Sequence, residues 1–361
     1  MKHKALTVMR SMITKHLLRW VWVGLSLVLV GSISFLLYYL SGLLIFGGRI
    51  PSHFYRPLEP VCNEWYDAEV FADKRSEEEK AKSPVRLRTC AESLTLPKDT
   101  LLLTTQEGIK VRLVVPDSLD TGADLPIWLH IHGITDSYLN GMRFYDAAHR
   151  LGFKLMMLEL QNHGGSDRHP QGASWGCRER WDLIATMDYI NNRYPSSEVL
   201  ITATSMGTLT VTEAILTQPE SFDKVRGLIY ESPISSFDNV LERICFKWSQ
   251  RDFCKSLWHG LIFGLSHWRT DVDLASCHQP DMLKTGIPTM LWLSEEEYPT
   301  APIRELSQQL PRHTQVRTTV YPRGSHSAYY GSQPERTEED IREFWMSVPR
   351  TLSSEPKHAK P

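Results

Sequence analysis

Val199-Leu200-Ile201-Thr202-Ala203-Thr204-Ser205-Met206-Gly207 is a short apolar run that stops at a Ser-x-Gly turn, with a helical pattern from Thr208 onward. An apolar run bounded by a turn signal marks a strand buried on both faces. A serine at the tight turn between such a strand and a helix is the context of a nucleophile elbow, commonly written G-x-S-x-G. The chain turns so sharply there that the positions two before and two after the serine must be small. Ala203 and Gly207 meet that need, although alanine stands where glycine is usual. Ser-Met-Gly can also do no more than cap a helix; the buried strand just before it favours the elbow.

Outward from this turn, strand-like and helix-like segments alternate. Leu101–Thr104 and Lys110–Val115 read as paired strands around a turn at Glu107-Gly108. Residues 126–132, 153–160, 225–230 and 288–293 repeat the buried-strand mark, and 179–193 and 341–345 read as helices. In 179–193, Trp181, Ile184, Ala185, Asp188 and Tyr189 recur at helical spacing. Such alternation predicts an α/β chain with a mainly parallel sheet covered by helices on both faces. Active sites of such sheets lie outside the carboxyl ends of the strands. Two later strand ends carry suitable groups. The run 288–293 is followed by Ser294-Glu295-Glu296-Glu297, and Tyr321-Pro322-Arg323-Gly324-Ser325-His326 places a histidine after the last strand.

The order Ser…acid…His, with His132-Gly133, Asn162-His163-Gly164-Gly165-Ser166, Glu231-Ser232-Pro233 and Ile287-Pro288-Thr289, resembles the α/β-hydrolase superfamily over residues 100–347. The nearest branch is the serine-aminopeptidase-like and monoglyceride-lipase-like one. The resemblance implies that Ser205 is the nucleophile and His326 its general base, with an oxyanion hole from the backbone N–H groups of Ile134 and Met206. Alignment through Ile287-Pro288-Thr289 puts the acid at Glu297, with Glu296 and Asp238 as alternatives. It also implies a helical cap at about 235–286, rich in aromatics (Phe237, Phe246, Trp248, Phe253, Trp258, Phe263, Trp268). Most of these would pack the cap and some would face an acyl group. The implied activity is cleavage of an ester of a lipid or other acyl compound, with no metal or organic cofactor. A peptidase or thioesterase using the same residues is the variant, and a non-catalytic binding protein on this fold the rival.

Other polar residues have blander readings. Ser166 shapes its loop, His132 orients the oxyanion loop, and Glu179 and Asp182 make structural hydrogen bonds. His163, in the next loop, is a candidate to line the pocket. Gly164-Gly165 lacks the spacing of a phosphate loop.

The N-terminus is separate. Residues 20–48 carry no charge, long enough to span a bilayer and longer than a signal-peptide core. Lys2, Lys4, Arg10, Lys15 and Arg19 precede this stretch and only Arg49 and Arg56 closely follow, so 1–19 is expected in the cytoplasm and the body outside it. Residues 49–95, with Pro51, Pro57, Pro60 and a charge-dense 74–82, read as a stalk. The hydrolase domain is expected over 96–350 and a tail over 351–361. Six cysteines permit disulfides without requiring them, and none has metal-ligand spacing. The absence of any N-x-[ST] site favours a bacterial periplasm over a glycosylating lumen. A net charge of −2 excludes a dedicated nucleic-acid binder. The expected partners are an acyl substrate and, through the N-terminal helix, membrane lipid.

Overall fold

The computed structural model describes residues 2–45, 62, 66–117, 124–234, 252–274, 285–295, 316–324, 326 and 329–349. Its strands are β1 (Lys98–Thr104), β2 (Lys110–Pro116), β3 (Ile127–Ile131), β4 (Lys154–Glu159), β5 (Val199–Thr204), β6 (Val225–Glu231), β7 (Thr289–Ser294) and β8 (Val316–Tyr321). The helices are α1 (Lys2–Ile45), α2 (Glu77–Lys82), α3 (Cys90–Leu94), α4 (Leu139–Met142), α5 (Tyr145–Leu151), α6 (Arg180–Arg193), α7 (Met206–Thr217), α8 (Asp252–Thr270), α9 (Tyr329–Ser332) and α10 (Pro334–Ser347).

All eight strands form one sheet, ordered β1-β2-β4-β3-β5-β6-β7-β8. The β1–β2 hairpin and the β2–β4 pair are antiparallel, and every other neighbouring pair is parallel. The five strands expected from buried apolar runs appear with ends displaced by a residue at most. Their period of two is hidden because both faces are covered. In β3, Ile127, Leu129 and Ile131 join one core cluster while Trp128 joins the other. Side chains of α6, α7 and α8 close the first face; those of α4, α5 and α10 close the second.

Helix α6 corrects the expected face. Its buried stripe runs through Leu183, Ile184, Met187 and Ile190, whereas Asp188 is exposed and Trp181, Ala185 and Tyr189 are half-buried. The anticipated residues mark the rim of the packed face. Helix α7 is unusual in burying Thr208, Thr210 and Thr212, β-branched residues that favour helices weakly. Their hydroxyls are satisfied by carbonyls near the preceding turn: Thr208 Oγ1 donates to Ser205 O at 2.7 Å and Thr212 Oγ1 to Thr208 O at 2.9 Å.

The stalk expectation fails over 66–95. Tyr66, Val70, Phe71 and Cys90 are buried in the second core cluster, and Cys62 is joined to Cys90 by a disulfide. A charge-dense stretch reads as unpacked because its apolar anchors are widely spaced. They are large, however, and the disulfide closes a separation of 28 residues, a constraint worth roughly 3–4 kcal/mol in the chain-entropy account. Residues 49–61 lie outside the described residues.

Helix α1 is long and apolar enough over Leu18–Tyr39 to cross a membrane, with mean hydropathy 2.1 and none of that window buried. A cap helix, α8, stands between β6 and β7 where the insertion was expected. Of the cap aromatics, Phe263 is half-buried against the first core cluster and Trp268 is exposed. The side chains of Phe237, Phe246, Trp248, Phe253 and Trp258 lie outside the described residues, as does Asp238.

Candidate active site

Ser205 stands between β5 and α7 with φ 52° and ψ −119°. A non-glycine residue held in so sparsely populated a conformation costs about 1–3 kcal/mol and persists only where its surroundings enforce it. Here they do. Ser205 N–H donates to Glu231 O on β6 at 3.1 Å, and Ser205 O accepts from Thr208 N–H at 2.9 Å. A Cβ at Gly207 would lie 2.6 Å from Ile131 O and 2.7 Å from His132 O, so only glycine fits two residues after the serine. A Cβ at Gly133 would lie 3.1 Å from Ser205 Cβ. The loop after β3 therefore runs directly against the serine. Met206 opens α7, and the first amides of a helix have no partner within it. Ile134 follows Gly133 in the adjacent loop. The fold thus brings Ser205, Met206 and the loop carrying Ile134 together.

The loop after β3 is held from three sides. His132 Nδ1 donates to Gly133 O at 2.7 Å, which leaves Nε2 to accept Leu160 N–H at 3.1 Å. His163 repeats the device, donating from Nδ1 to Gln161 O at 2.8 Å and accepting Thr135 N–H at Nε2 at 3.2 Å. The expected roles of these two residues merge: both hold the loop that carries Ile134. On the far side, Tyr66 O–H donates to Asp136 Oδ1 at 2.9 Å and contacts Ser137 Oγ at 2.7 Å. Asn140 Nδ2 donates to Asp136 Oδ2 at 2.6 Å and its Oδ1 meets His130 Nε2 at 3.0 Å. The segment pinned by the Cys62–Cys90 disulfide therefore reaches the loop after β3 through one buried tyrosine.

Burial, with the neighbouring His132 ring, pushes the His163 imidazole down to about 3. An unfolded histidine titrates near 6.5. Below that pH the unfolded chain takes up a proton that the folded chain refuses, so stability is lost as pH falls from about 6.5 toward 3. The slope is about 1.4 kcal/mol per unit for one group. His163→Asn is expected to make the fall of the thermal midpoint between pH 6.5 and 4 shallower, with the remaining fall shared by His130, whose burial also lowers its pKa. An unchanged slope would show that His163 does not titrate with unfolding.

Two buried ion pairs support the strand ends. Arg112 and Glu159 face each other in the β2–β4 register, and Arg112 Nε donates to Glu159 Oε2 at 2.7 Å. Glu159 also accepts Gly165 N–H at 2.7 Å and Tyr138 N–H at 3.4 Å, joining the 162–166 loop to the loop after β3. Ser166 shapes its loop, bonding Glu159 O at 2.6 Å. Glu231 pairs with Arg143, and its Oε2 accepts Thr204 O–H at 3.0 Å, immediately before the serine. Glu179 accepts from Ser174 and Gly176, and Asp182 from Gln161, as structural partners. Sequence reasoning missed Arg112, Arg143, Glu159, Asp136 and Tyr66. The available signal was a charge inside two apolar strands, Arg112 and Glu159, which a buried strand tolerates only in pairs.

His326 is exposed in the turn after β8, at the same edge of the sheet as Ser205. Three interstrand steps of about 4.8 Å separate β8 from β5. Tyr329 anchors that turn: it stacks on Tyr321 at 5.3 Å and its hydroxyl meets Ser232 Oγ, after β6, at 2.7 Å. Gly324, at φ 131°, lets the backbone pass where a Cβ would lie 2.7 Å from the Tyr329 ring. Glu296 and Glu297 lie outside the described residues. Cys62, Asp67 and Cys90 cluster closely, but both sulfurs are spent in the disulfide, which leaves one carboxylate.

This strand order, with a strained serine after β5 and a glycine-lined loop after β3 against it, defines the α/β-hydrolase fold. Residues 126–276 match the family model described as serine aminopeptidase, S33, and the chain has the α/β-hydrolase fold. The esterase Pf2001 of Pyrococcus furiosus superposes with a TM-score of 0.55 at 15% identity, over 81% of this chain and 98% of its own. Another crystal form of that esterase gives 0.53 at 14% identity, over 84% and 98%. At such identity the likeness establishes the fold. No curated protein sequence matches the chain.

Proposed function

We propose that this chain is a membrane-anchored serine hydrolase that cleaves an acyl ester through an acyl-enzyme intermediate. The observation that carries the reading is Ser205, held at φ 52° at the carboxyl end of β5 with Gly133 against it. In the first step Ser205 Oγ bonds to the acyl carbon and its proton passes to His326. The leaving alcohol takes that proton as its bond to the acyl carbon breaks. Water, activated by the same histidine, then releases the acid and restores Ser205. Glu297 holds the imidazole and stabilises its charged form. The N–H groups of Ile134 and Met206 receive the oxyanion, each such donor contributing roughly 3 kcal/mol in the transition state. The substrate is an ester of a lipid or another apolar acyl compound. Amide cleavage is the second reading, favoured by the serine aminopeptidase description of the matching model.

The anchor is the uncharged stretch 20–48, which overlaps the Leu18–Tyr39 window that is long and apolar enough to cross a membrane, with the N-terminus in the cytoplasm and the body outside it, at a bacterial inner membrane. Basic residues before the span support this orientation, and so does the Cys62–Cys90 disulfide, a bond that persists in oxidising compartments. One experiment addresses activity and orientation together. Spheroplasts of a bacterial host carrying the full chain are given aryl esters with an impermeant sulfonated leaving group and acyl chains of rising length. Intact spheroplasts are expected to hydrolyse them, and those carrying Ser205→Ala are not. Hydrolysis only after lysis would turn the body to the cytoplasm. No hydrolysis before or after lysis, at any length, would remove the ester reading.

A further inference from the structure

Helix α8, 19 residues long, has two opposed faces. Ile262, Ser266 and Thr270 are buried toward the body. Leu257, Leu261 and Trp268, with Gly264 among them, form a stripe at i, i+4, i+7 and i+11, so they share one side of the helix. That side faces away from the body: Leu257 is 52% exposed, Leu261 44% and Trp268 73%. Single exposed apolar residues are ordinary on a protein surface, whereas an aligned set on one helix marks a contact face.

The neighbour of this stripe says what covers it. Helix α8 meets α1 at Tyr38. Arg269 Nη1 donates to Tyr38 O at 2.6 Å and its guanidinium lies 4.2 Å from the Tyr38 ring centre. Between the helices runs an apolar groove of about 510 Å³, lined by Ser34, Leu37 and Tyr38 on one side and Gly260, Gly264 and Trp268 among others on the other. A Cβ at Gly260 or Gly264 would meet nothing within 4 Å, so the groove is open. It takes about one turn of α1 and about two turns of α8, as where one helix crosses another. Counted from Arg19, about 20 residues cross a hydrocarbon core of about 30 Å, which puts its far boundary near Tyr39, with the uncharged stretch running on to Gly48. At 1.5 Å per residue, Ser34 and Tyr38 lie about 8 and 2 Å from that boundary. Interfacial helices bury their apolar side about 5–10 Å into the boundary between headgroups and acyl chains. Trp268 and Tyr38 are of the residue types that gather at that level, and Arg269 can keep its charge among the headgroups.

We propose that α8 is an interfacial helix: its Leu257–Leu261–Trp268 stripe rests in the outer leaflet beside α1, and a lipid acyl chain fills the groove between them. This rests on the reading of Leu18–Tyr39 as a membrane span. The bilayer then supports the cap, and an acyl substrate meets the cap from the lipid side.

The test uses the full chain in phosphatidylethanolamine–phosphatidylglycerol nanodiscs, with a photoreactive benzophenone amino acid placed singly at Phe35, Leu257, Trp268 or Met346. All four positions are exposed, so the substitutions leave the core intact. After irradiation, lipid adducts are sought by mass spectrometry. Adducts from Phe35, Leu257 and Trp268, with at least tenfold less from Met346, support the proposal. Adducts from Phe35 but none from Leu257 and Trp268 would overturn it and leave the span standing. Equal adducts from Met346 would overturn it as non-specific contact. No adduct from Phe35 would remove the span, and the proposal with it.

Discussion

Ser205→Ala is expected to lower ester turnover by roughly 10⁴-fold or more, the loss that follows when one member of a catalytic set acting as a unit is removed. The substitution isolates chemistry from folding. Alanine keeps the Cβ against Gly133, and both backbone hydrogen bonds of residue 205, to Glu231 O and from Thr208 N–H, are independent of the side chain. The thermal midpoint should therefore move by only a few degrees while turnover collapses. Substitution at Gly207 would not separate the two, because a Cβ there would strike Ile131 O and His132 O. A Ser205→Ala protein retaining more than about 1% of wild-type turnover would retire Ser205 as the nucleophile, since the oxyanion hole and binding alone account for far less.

Glu297→Gln is expected to cut turnover by about 10²–10⁴-fold without unfolding the chain. A neutral amide cannot stabilise the imidazolium and offers the wrong partner to its tautomer. The β7–β8 register frames the choice of acid. Ser294 pairs with Tyr321, and Glu295 N–H donates to Tyr321 O at 3.0 Å, so Glu295 is still tied to the strand end. Glu296→Gln should stay within a few-fold of wild type. A larger loss from Glu296→Gln than from Glu297→Gln would move the acid by one residue.

The parallel core of this fold was legible because buried strands leave uninterrupted apolar runs ended by turn residues. Val199–Thr204 was located to the residue, and the turn at Ser205 with it, because a buried strand, flanking small residues and a following helix pattern together fit little besides a tight strand-to-helix turn. The helix faces were less legible. In α6 the half-buried rim carries the larger aromatics, Trp181 and Tyr189, which outweigh the smaller residues that are buried. Residues 66–95 mislead for a related reason: their charges are local and visible, whereas the contacts of Tyr66 and Cys90 are made with distant parts of the chain. The bracing of the loop after β3 shares that difficulty. Tyr66 and Asp136 are 70 residues apart, and Arg143 and Glu231 are 88 apart. No local pattern announces such pairs.

The central claim is that Ser205 forms a covalent bond with the acyl group. It is tested most directly by treating the full chain with a fluorophosphonate and mapping the adduct by peptide mass spectrometry. The account predicts a single adduct on Ser205, absent from Ser205→Ala. An adduct on another serine such as Ser166, or equal labelling of Ser205→Ala, would contradict it.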